Sequence, residues 1–347
     1  MKRKIGMVGY FATGKSKSGG QEAKTCAIAD ELDVIYGKDQ VLKIDTINWK
    51  KHPLKLLFNL IKIGAVCNNV IMLPAQNSLP IFTAILIRLK KITKCKIHYV
   101  VVGGWLASRV KNDKKMIKKL QKIDTIYVET TSMKQDLENI GIENTIVFPN
   151  FKHVMPLNEN ELIVNSDFPI KLCFFSRVIR EKGVEDVVNA VRQLNQEDPA
   201  KYFSLDIYGP VQPGEEKWFD ALQKTFDSNI SYKGFVEPNQ SVDIIKTYTA
   251  LVFPTHYKTE GIPGTIIDAY SAGVPVITAR WINCKDVFDE DITGWSYEID
   301  NYCDLVKQLR RLRANLSLFN NLKRNCIVKA KMFSPESIMK TMTSRIK

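Results

Sequence analysis

The chain of 347 residues is long for one domain and suits two. Hydrophobic residues at 45% and charged residues at 25% exclude a disordered, collagenous or coiled-coil chain, and no apolar run reaches the ~18–20 residues of a membrane-spanning helix. The 50 lysines and arginines outnumber the 37 aspartates and glutamates unevenly: residues 1–165 hold 26 basic and 14 acidic side chains, residues 166–300 hold 13 and 21, and residues 301–347 hold 11 and 2.

A basic first half beside an acidic middle implies two domains with different partners. Residues 51–100 carry eight basic side chains and no acidic one, which fits nucleic acid, an anionic membrane surface, a phosphate-bearing substrate or simply solvated lysines. The seven cysteines are scattered and form no C-x-x-C, so neither a disulfide framework nor a cysteine-built zinc site is expected, and a reducing cytoplasm fits them.

In chain order, Lys4–Gly9 reads as a buried strand rather than a signal peptide, because Gly6 and Gly9 interrupt its apolar run. Gln21–Leu32 reads as a helix with Ala23, Ala27, Ile28 and Leu32 on one face. Asn69–Leu73, Lys96–Val102, Thr125–Glu129 and Thr145–Phe148 are short apolar runs with polar or glycine flanks, as buried parallel strands should be. The second half repeats the alternation: strand Lys171–Ser176, helix Val184–Leu194, strand Ser204–Tyr208, helix Glu216–Phe226, strand Ser231–Tyr232 and helix Ser241–Thr247. Strand Leu251–Pro254, helix Gly264–Ala272 and strand Pro275–Thr278 follow. Two such sets predict an α/β chain of two Rossmann-like domains, 1–155 and 166–330, with the boundary where Pro149, Pro156 and Pro169 punctuate polar residues. Ser334 as N-cap, Pro335 in the first turn and Glu336 at the positive dipole end open a last helix within 331–347.

Two amphipathic stretches stand apart. After Pro53, Leu54, Leu57, Phe58 and Ile61 share a helical face and Lys55, Asn59 and Lys62 lie on another, with Lys50 and Lys51 just before. Ile81–Ile92 is apolar to Ile87 and then basic at Arg88, Lys90 and Lys91. Core packing and attachment to an anionic leaflet both account for these stretches.

Gly9-Tyr-Phe-Ala-Thr-Gly14-Lys15-Ser16 satisfies the phosphate-cradling pattern G-x(4)-G-K-[ST] directly after a strand, which makes a P-loop hydrolase one alternative. Its context argues otherwise: Gly19-Gly20 follow where a helix should already run, and Val41–Asp45 is a poor partner strand for a magnesium-holding acid. A glycine-rich loop ending at Gly19-Gly20 and aiming the Gln21–Leu32 helix at an anionic ligand is the better reading. A second cluster, Ser176-Arg177-Val-Ile-Arg-Glu-Lys182-Gly183, puts two cations at the carboxyl edge of a sheet, where a guanidinium fork and a point charge suit a diphosphate. The third is Thr259-Glu260-Gly261-Ile-Pro-Gly264-Thr265-Ile-Ile-Asp268, whose two acids fall near one helix start and can accept hydrogen bonds from sugar and ribose hydroxyls. Asp289-Glu290-Asp291 mimics a metal-binding D-x-D, but no phosphate loop adjoins it, so it reads as solvated charge. His98 lies within an apolar strand and reads as structural. No basic–aromatic interleaving of the kind that stacks bases is present, which argues against the other alternative, a nucleic-acid-binding protein.

Phe174–Gly183, Ile230–Gly234, Ala250–Thr255, Glu260–Ile277 and Thr293-Gly294-Trp295 together resemble the donor domain of retaining family-4 glycosyltransferases of the GT-B fold. The family's second acid is Glu; here it is Asp268. The amino half is similar to enzymes of capsular and exopolysaccharide assembly through Gly19-Gly20-Gln21 with Lys24-Thr25, Val102-Gly103-Gly104-Trp105, Val128-Glu129-Thr130 and Phe148-Pro149-Asn150. The resemblance implies two domains facing each other across a cleft, with the last helix returning to the first domain. It implies that Arg177 and Lys182 hold the donor diphosphate with help from Gly19 and Gly20. Gly264, Thr265 and Asp268 would border the phosphates and ribose, Phe235 and Val236 the base, and Glu260 the transferred sugar. Gly103, Gly104 and Trp105 would face the acceptor. Catalysis would rest on Glu260, Arg177 and Lys182 without metal or cofactor. The expected partners are a nucleotide sugar, most simply a UDP-sugar, a lipid-linked glycan acceptor and an anionic membrane surface, and the expected place is the cytoplasmic face of the cell membrane.

Overall fold

A computed structural model describes residues 3–11, 20–164, 166–200 and 202–346. The chain divides into two compact units, Met1–His153 with Pro335–Lys347, and Val154–Ser334.

The first unit is built on six parallel strands: β1 (Arg3–Gly9), β2 (Val41–Asp45), β3 (Cys67–Met72), β4 (Lys96–Val100), β5 (Thr125–Val128) and β6 (Thr145–Val147). Their order is β2-β1-β3-β4-β5-β6, so the direction of winding reverses between β1 and β3. Helices α1 (Gly20–Tyr36), α2 (Pro53–Val66), α3 (Leu79–Thr93), α4 (Leu106–Val110), α5 (Lys114–Leu120) and α6 (Thr131–Glu138) make the crossovers. β5 is buried along its whole length, as a strand covered on both faces must be.

The second unit repeats the plan with β7 (Ile170–Phe175), β8 (Phe203–Tyr208), β9 (Ile230–Gly234), β10 (Ala250–Phe253), β11 (Val276–Arg280) and β12 (Gly294–Glu298). The order β12-β11-β10-β7-β8-β9 places its reversal between β7 and β10. Its helices are α7 (Val184–Glu197), α8 (Glu216–Gln223), α9 (Ser241–Ile245), α10 (Gly264–Ser271), α11 (Tyr302–Ala314), α12 (Leu316–Asn320) and α13 (Lys323–Ala330). The last helix, α14 (Pro335–Thr343), belongs to the first unit, where Ile338, Met339, Met342 and Ile346 join a core with Ile5, Met7, Ile28 and Leu32.

One helical face differs from expectation, and a second excludes one of the two readings left open for it. In α1 Ala23 is exposed and Ala27 only half-buried, whereas Glu22, Lys24 and Thr25 are buried with Ile28 and Leu32. Lys24 tolerates burial because its Nζ sits 2.7 Å from Oε1 of the equally buried Glu129, just beyond β5. Burial still pulls the Lys24 ammonium below its usual pKa, with Glu129 opposing that shift. In α2 the core side is Leu56, Leu60, Ile63 and Gly64, and the stripe of Leu54, Leu57, Phe58 and Ile61 is exposed. The alternative of core packing is therefore wrong for that stripe. The helix carries two adjacent apolar faces, and only one meets the sheet. In α3 Leu79, Phe82, Thr83 and Leu86 are buried, Ile81 and Ile92 are exposed, and Lys90 is 2.7 Å from Asp124.

Candidate functional site

In doubly wound sheets a ligand crevice opens beyond the carboxyl ends of the strands where winding reverses. In the second unit that point lies between β7 and β10, and the two chemically distinctive segments emerge there: Ser176–Gly183 after β7 and Pro254–Pro263 after β10. Gly183 lets them meet. Its φ is +72°, and a Cβ there would stand 1.9 Å from the carbonyl oxygen of Pro254, so only glycine permits this approach.

Lys182 and Glu260, 78 residues apart, are paired: the Lys182 ammonium contacts Glu260 Oε1, to which Thr255 Oγ1 also donates at 3.1 Å. Asn283 fixes the backbone below by donating to the Glu260 carbonyl at 2.6 Å. The Lys182 Nζ lies 5.3 Å and 5.1 Å from the ring centroids of Phe253 and Tyr257, both favourable cation–π positions. Burial raises the Tyr257 phenol above its usual pKa, helped by Glu181, while Arg177 opposes the shift. Arg177 itself is exposed and donates from Nη1 to Gln212 Oε1 at 2.9 Å. The neighbouring Arg180 is used structurally, with its guanidinium 4.9 Å from the Trp218 ring centroid.

α10 begins at Gly264 on the same side of the sheet. Thr265 in its first turn has a buried Oγ1 with no hydrogen-bond partner among the described residues. Asp268, one turn on, is buried. The start of a helix concentrates backbone donors and positive potential, the natural complement of phosphate oxygens. Phe235, directly after β9, is half-exposed, and Val236 packs on the core beside it.

His256 ties the segments together. Its Nδ1 is 2.8 Å from Asp300 Oδ1, its Nε2 is 3.1 Å from Asp186 Oδ2 on α7, and its backbone N–H donates to the Glu181 carbonyl at 2.8 Å. His256, Tyr257 and Asn283 escaped the sequence reading, since only strand adjacency brings them to Lys182.

The acids at 289–291 are open to solvent, Glu290 and Asp291 exposed and Asp289 partly so, and each also has a structural partner. Asp289 Oδ2 is 2.8 Å from Lys329, Glu290 contacts Ser296, and Asp291 Oδ1 accepts from Arg311 at 2.8 Å. The three carboxylates thus diverge onto three elements.

In the first unit, Gly20 starts α1 beyond β1 at the reversal point, while Gly19 lies outside the described residues. The pattern Gly9–Ser16 falls largely outside them too. Asp45, its candidate metal-holding acid, accepts through Oδ1 from the backbone N–H groups of Phe11 at 3.1 Å and Ile47 at 2.9 Å, which commits that oxygen to a turn. Gly103, with φ +79°, Gly104 and Trp105 follow β4, and the half-buried indole N–H of Trp105 donates to the Val102 carbonyl at 2.8 Å. His98 is interior, 3.1 Å from Asn69 and 3.3 Å from Tyr127, and burial holds its pKa down to about 4.

Over nearly its full length the chain superposes on HepE of Anabaena solved with UDP, with a TM-score of 0.77, 14% identity and coverage of 100% and 99% of the two chains. The sucrose-phosphate synthase of Thermosynechococcus elongatus gives a TM-score of 0.77 at 13% identity, covering 98% and 97%. The chain has the GT-B fold. The more specific family match lies in the second unit of this GT-B chain, where residues 169–315 match glycosyl transferases group 1. That span contains Arg177, Lys182, Glu260 and Asp268. Alpha-monoglucosyldiacylglycerol synthase of Acholeplasma laidlawii is 27% identical over 223 residues, 62% of this chain. The chain spans about half the length of that curated relative, 54%.

Proposed function

We propose that this GT-B chain is a retaining, metal-independent glycosyltransferase of the family-4 type, moving a sugar from a UDP-sugar to a lipid-linked oligosaccharide in cell-surface polysaccharide assembly, at the cytoplasmic face of the membrane. The observation that carries the reading is the meeting of Lys182 and Glu260 at the winding reversal, beside the start of α10. A diphosphate lying over α10 meets backbone donors, the Thr265 hydroxyl and the Lys182 ammonium, with Arg177 at the open side. Asp268 then accepts from the ribose, the Phe235–Val236 edge borders the base, and Glu260 accepts from a hydroxyl of the sugar. In the first unit, Gly20 would offer its amide to an anionic group, and Gly103, Gly104 and Trp105 would border the acceptor. HepE is known with UDP, with UDP and glucose, and with UDP-glucose, and the Acholeplasma relative is named for making a glucosylated diacylglycerol, which supports both a uridine donor and a lipid acceptor.

In the reaction, the acceptor oxygen forms a bond to the anomeric carbon while the bond to the β-phosphate oxygen breaks. UDP leaves with that electron pair, and the acceptor proton passes to the departing phosphate on the same face. Preorganised cations stabilise the charge that develops there, and loss of one such contact typically costs 10²–10³ in turnover, roughly 2.7–4 kcal/mol.

The experiment is a screen of UDP-, GDP- and ADP-sugars for binding and nucleotide release by the purified protein, with and without chelator, and proton NMR of the product's anomeric coupling. UDP release, indifference to chelator and retained configuration are expected. Strict magnesium dependence removes the metal-free mechanism, and no affinity for any nucleotide sugar removes the reading.

A further inference from the structure

Among the described residues, α2 presents an apolar surface without a partner. Around its circumference, Leu56, Leu60 and Ile63 face the core, while Leu54 (79% exposed), Leu57, Phe58 (67%) and Ile61 form a second apolar stripe open to solvent. Lys55, Asn59 and Lys62 follow next around the helix. A stripe of this size on a surface helix calls for a partner. The basic edge borders a groove of 430 Å³ between α2 and β2, lined among others by Trp49, His52, Lys55, Asn59 and Lys62. Lys43, at the same groove, is held by Asp33 at 2.6 Å. The side chains of His52, Lys55 and Lys62, by contrast, make no hydrogen bond or ion pair among the described residues. α2 contains no acidic residue, and Lys50 and Lys51 precede it.

We propose that α2 docks on an anionic phospholipid bilayer, its Leu54–Ile61 stripe lying in the acyl–headgroup boundary and the Trp49–Lys62 groove receiving a lipid phosphate. Charge and shape select this occupant. A helix of 14 residues is about 21 Å long, suited to lying in the interface, and no helix among the described residues is long and apolar enough to cross a membrane. Apolar side chains next to uncommitted ammonium groups match a leaflet, whose acyl chains and phosphates sit at adjacent depths. A purely apolar protein partner would leave Lys55 and Lys62 desolvated and unpaired. Trp49 is half-buried at the groove, and an indole is favoured at the headgroup level. The inference deepens the membrane placement proposed above, but it depends on none of the donor-site residues.

The test is co-sedimentation with vesicles rich in phosphatidylglycerol and with pure phosphatidylcholine, at low and high salt. Soluble glycerol 3-phosphate serves as a free-phosphate arm, and calorimetric UDP affinity is measured on every variant. Binding is expected only with phosphatidylglycerol, to weaken as salt screens the charges, and to withstand glycerol 3-phosphate. Lys55→Gln with Lys62→Gln should lower partitioning about 25-fold, roughly fivefold per lysine. Leu54→Ser with Phe58→Ser should lower it about tenfold or more at unchanged charge. Because these side chains are exposed, melting temperature and UDP affinity should stay at wild-type values. Brominated phosphatidylglycerol should quench fluorescence in the wild type and much less in Trp49→Phe. Equal binding to phosphatidylcholine, no binding to either vesicle, wild-type partitioning by the variants, or a dimer that Phe58→Ser dissolves without any vesicle binding would each overturn the proposal. Vesicle binding without UDP affinity would uphold it and remove the transferase reading instead.

Discussion

Replacing Lys182 by Met keeps a stem of similar length against Phe253 and Tyr257 and deletes the charge, so it isolates what the ammonium does. Two separable effects follow. Lys182 and Glu260 are mostly buried, with side chains 11% and 16% exposed, and losing one partner leaves the other carboxylate stranded. Breaking a fully buried pair costs 3–5 kcal/mol; partial water access and the remaining Thr255 hydrogen bond bring this to about 2 kcal/mol, about 4–8 °C in the melting temperature of a unit this size. The second effect is kinetic: loss of the preorganised cation should lower turnover by about 10²–10³. The double variant Lys182→Met/Glu260→Gln separates the two, because a neutral amide beside Met leaves no stranded charge. Its melting temperature should return to within about 3 °C of wild type while transfer stays at least as low as in Lys182→Met, a strongly non-additive cycle in stability. Melting is followed by circular dichroism and transfer by UDP release. Transfer by Lys182→Met within about threefold of wild type would refute the assignment of Lys182 to the leaving group. A double variant no more stable than Lys182→Met would refute the stranded-charge argument.

His256→Ala should loosen the Pro254–Pro263 segment from Asp186 and Asp300, lowering kcat/KM about tenfold with a smaller change in melting temperature; steady-state kinetics on both sides of the substitution check this, and unchanged kinetics would make His256 a surface ornament. Asp268→Ala should weaken UDP binding about tenfold by calorimetry, because the ribose contact carries no developing charge and acts on affinity; wild-type affinity would remove the ribose role. Lys323 is buried, donates only weakly to the Tyr248 carbonyl at 3.3 Å, and burial brings its pKa down to about 8. The unfolded chain holds that proton up to about pH 10.4, so this group penalises folding fully below about pH 8, and the penalty fades as pH rises towards 10.4. Lys323→Met should therefore raise the urea midpoint near neutrality by the equivalent of about 2 kcal/mol and lose that gain above about pH 10; a lower midpoint at neutral pH would contradict it.

Central strands were legible because parallel strands covered on both faces read as apolar runs, as in β5 and β10. β2 was not, since partial exposure lets Lys43 into it and blurs the run, nor was β12, where Gly294, Ser296 and Glu298 break up the apolar residues although only Glu298 is exposed. Helix faces failed where a charge is buried with a distant partner: nothing near Lys24 announces Glu129, so Ala23 looked like the better core residue. Likewise Arg177 and Lys182 share a loop and invite pairing in one role, yet Arg177 turns to Gln212 and Lys182 to Glu260. Glycine-bounded loops and the acids near α10 could be read one by one. Their convergence depends on β7 lying beside β10, which local spacing does not encode.

The return of α14 to the first unit has a consequence for how the chain is made. The second unit is one uninterrupted stretch, Val154–Ser334, and has all its contacts once that stretch has been synthesised. The first unit is begun earlier but finished later, because Ile338, Met339, Met342 and Ile346 fill a core otherwise lined by Ile5, Met7, Ile28 and Leu32. During translation the usual amino-first order is therefore inverted. A sheet made early waits, with an apolar gap on one side, while a unit made later closes ahead of it, and a stop anywhere within α14 would leave that gap open in a protein whose Ser176–Gly183 and Pro254–Pro263 segments are already complete.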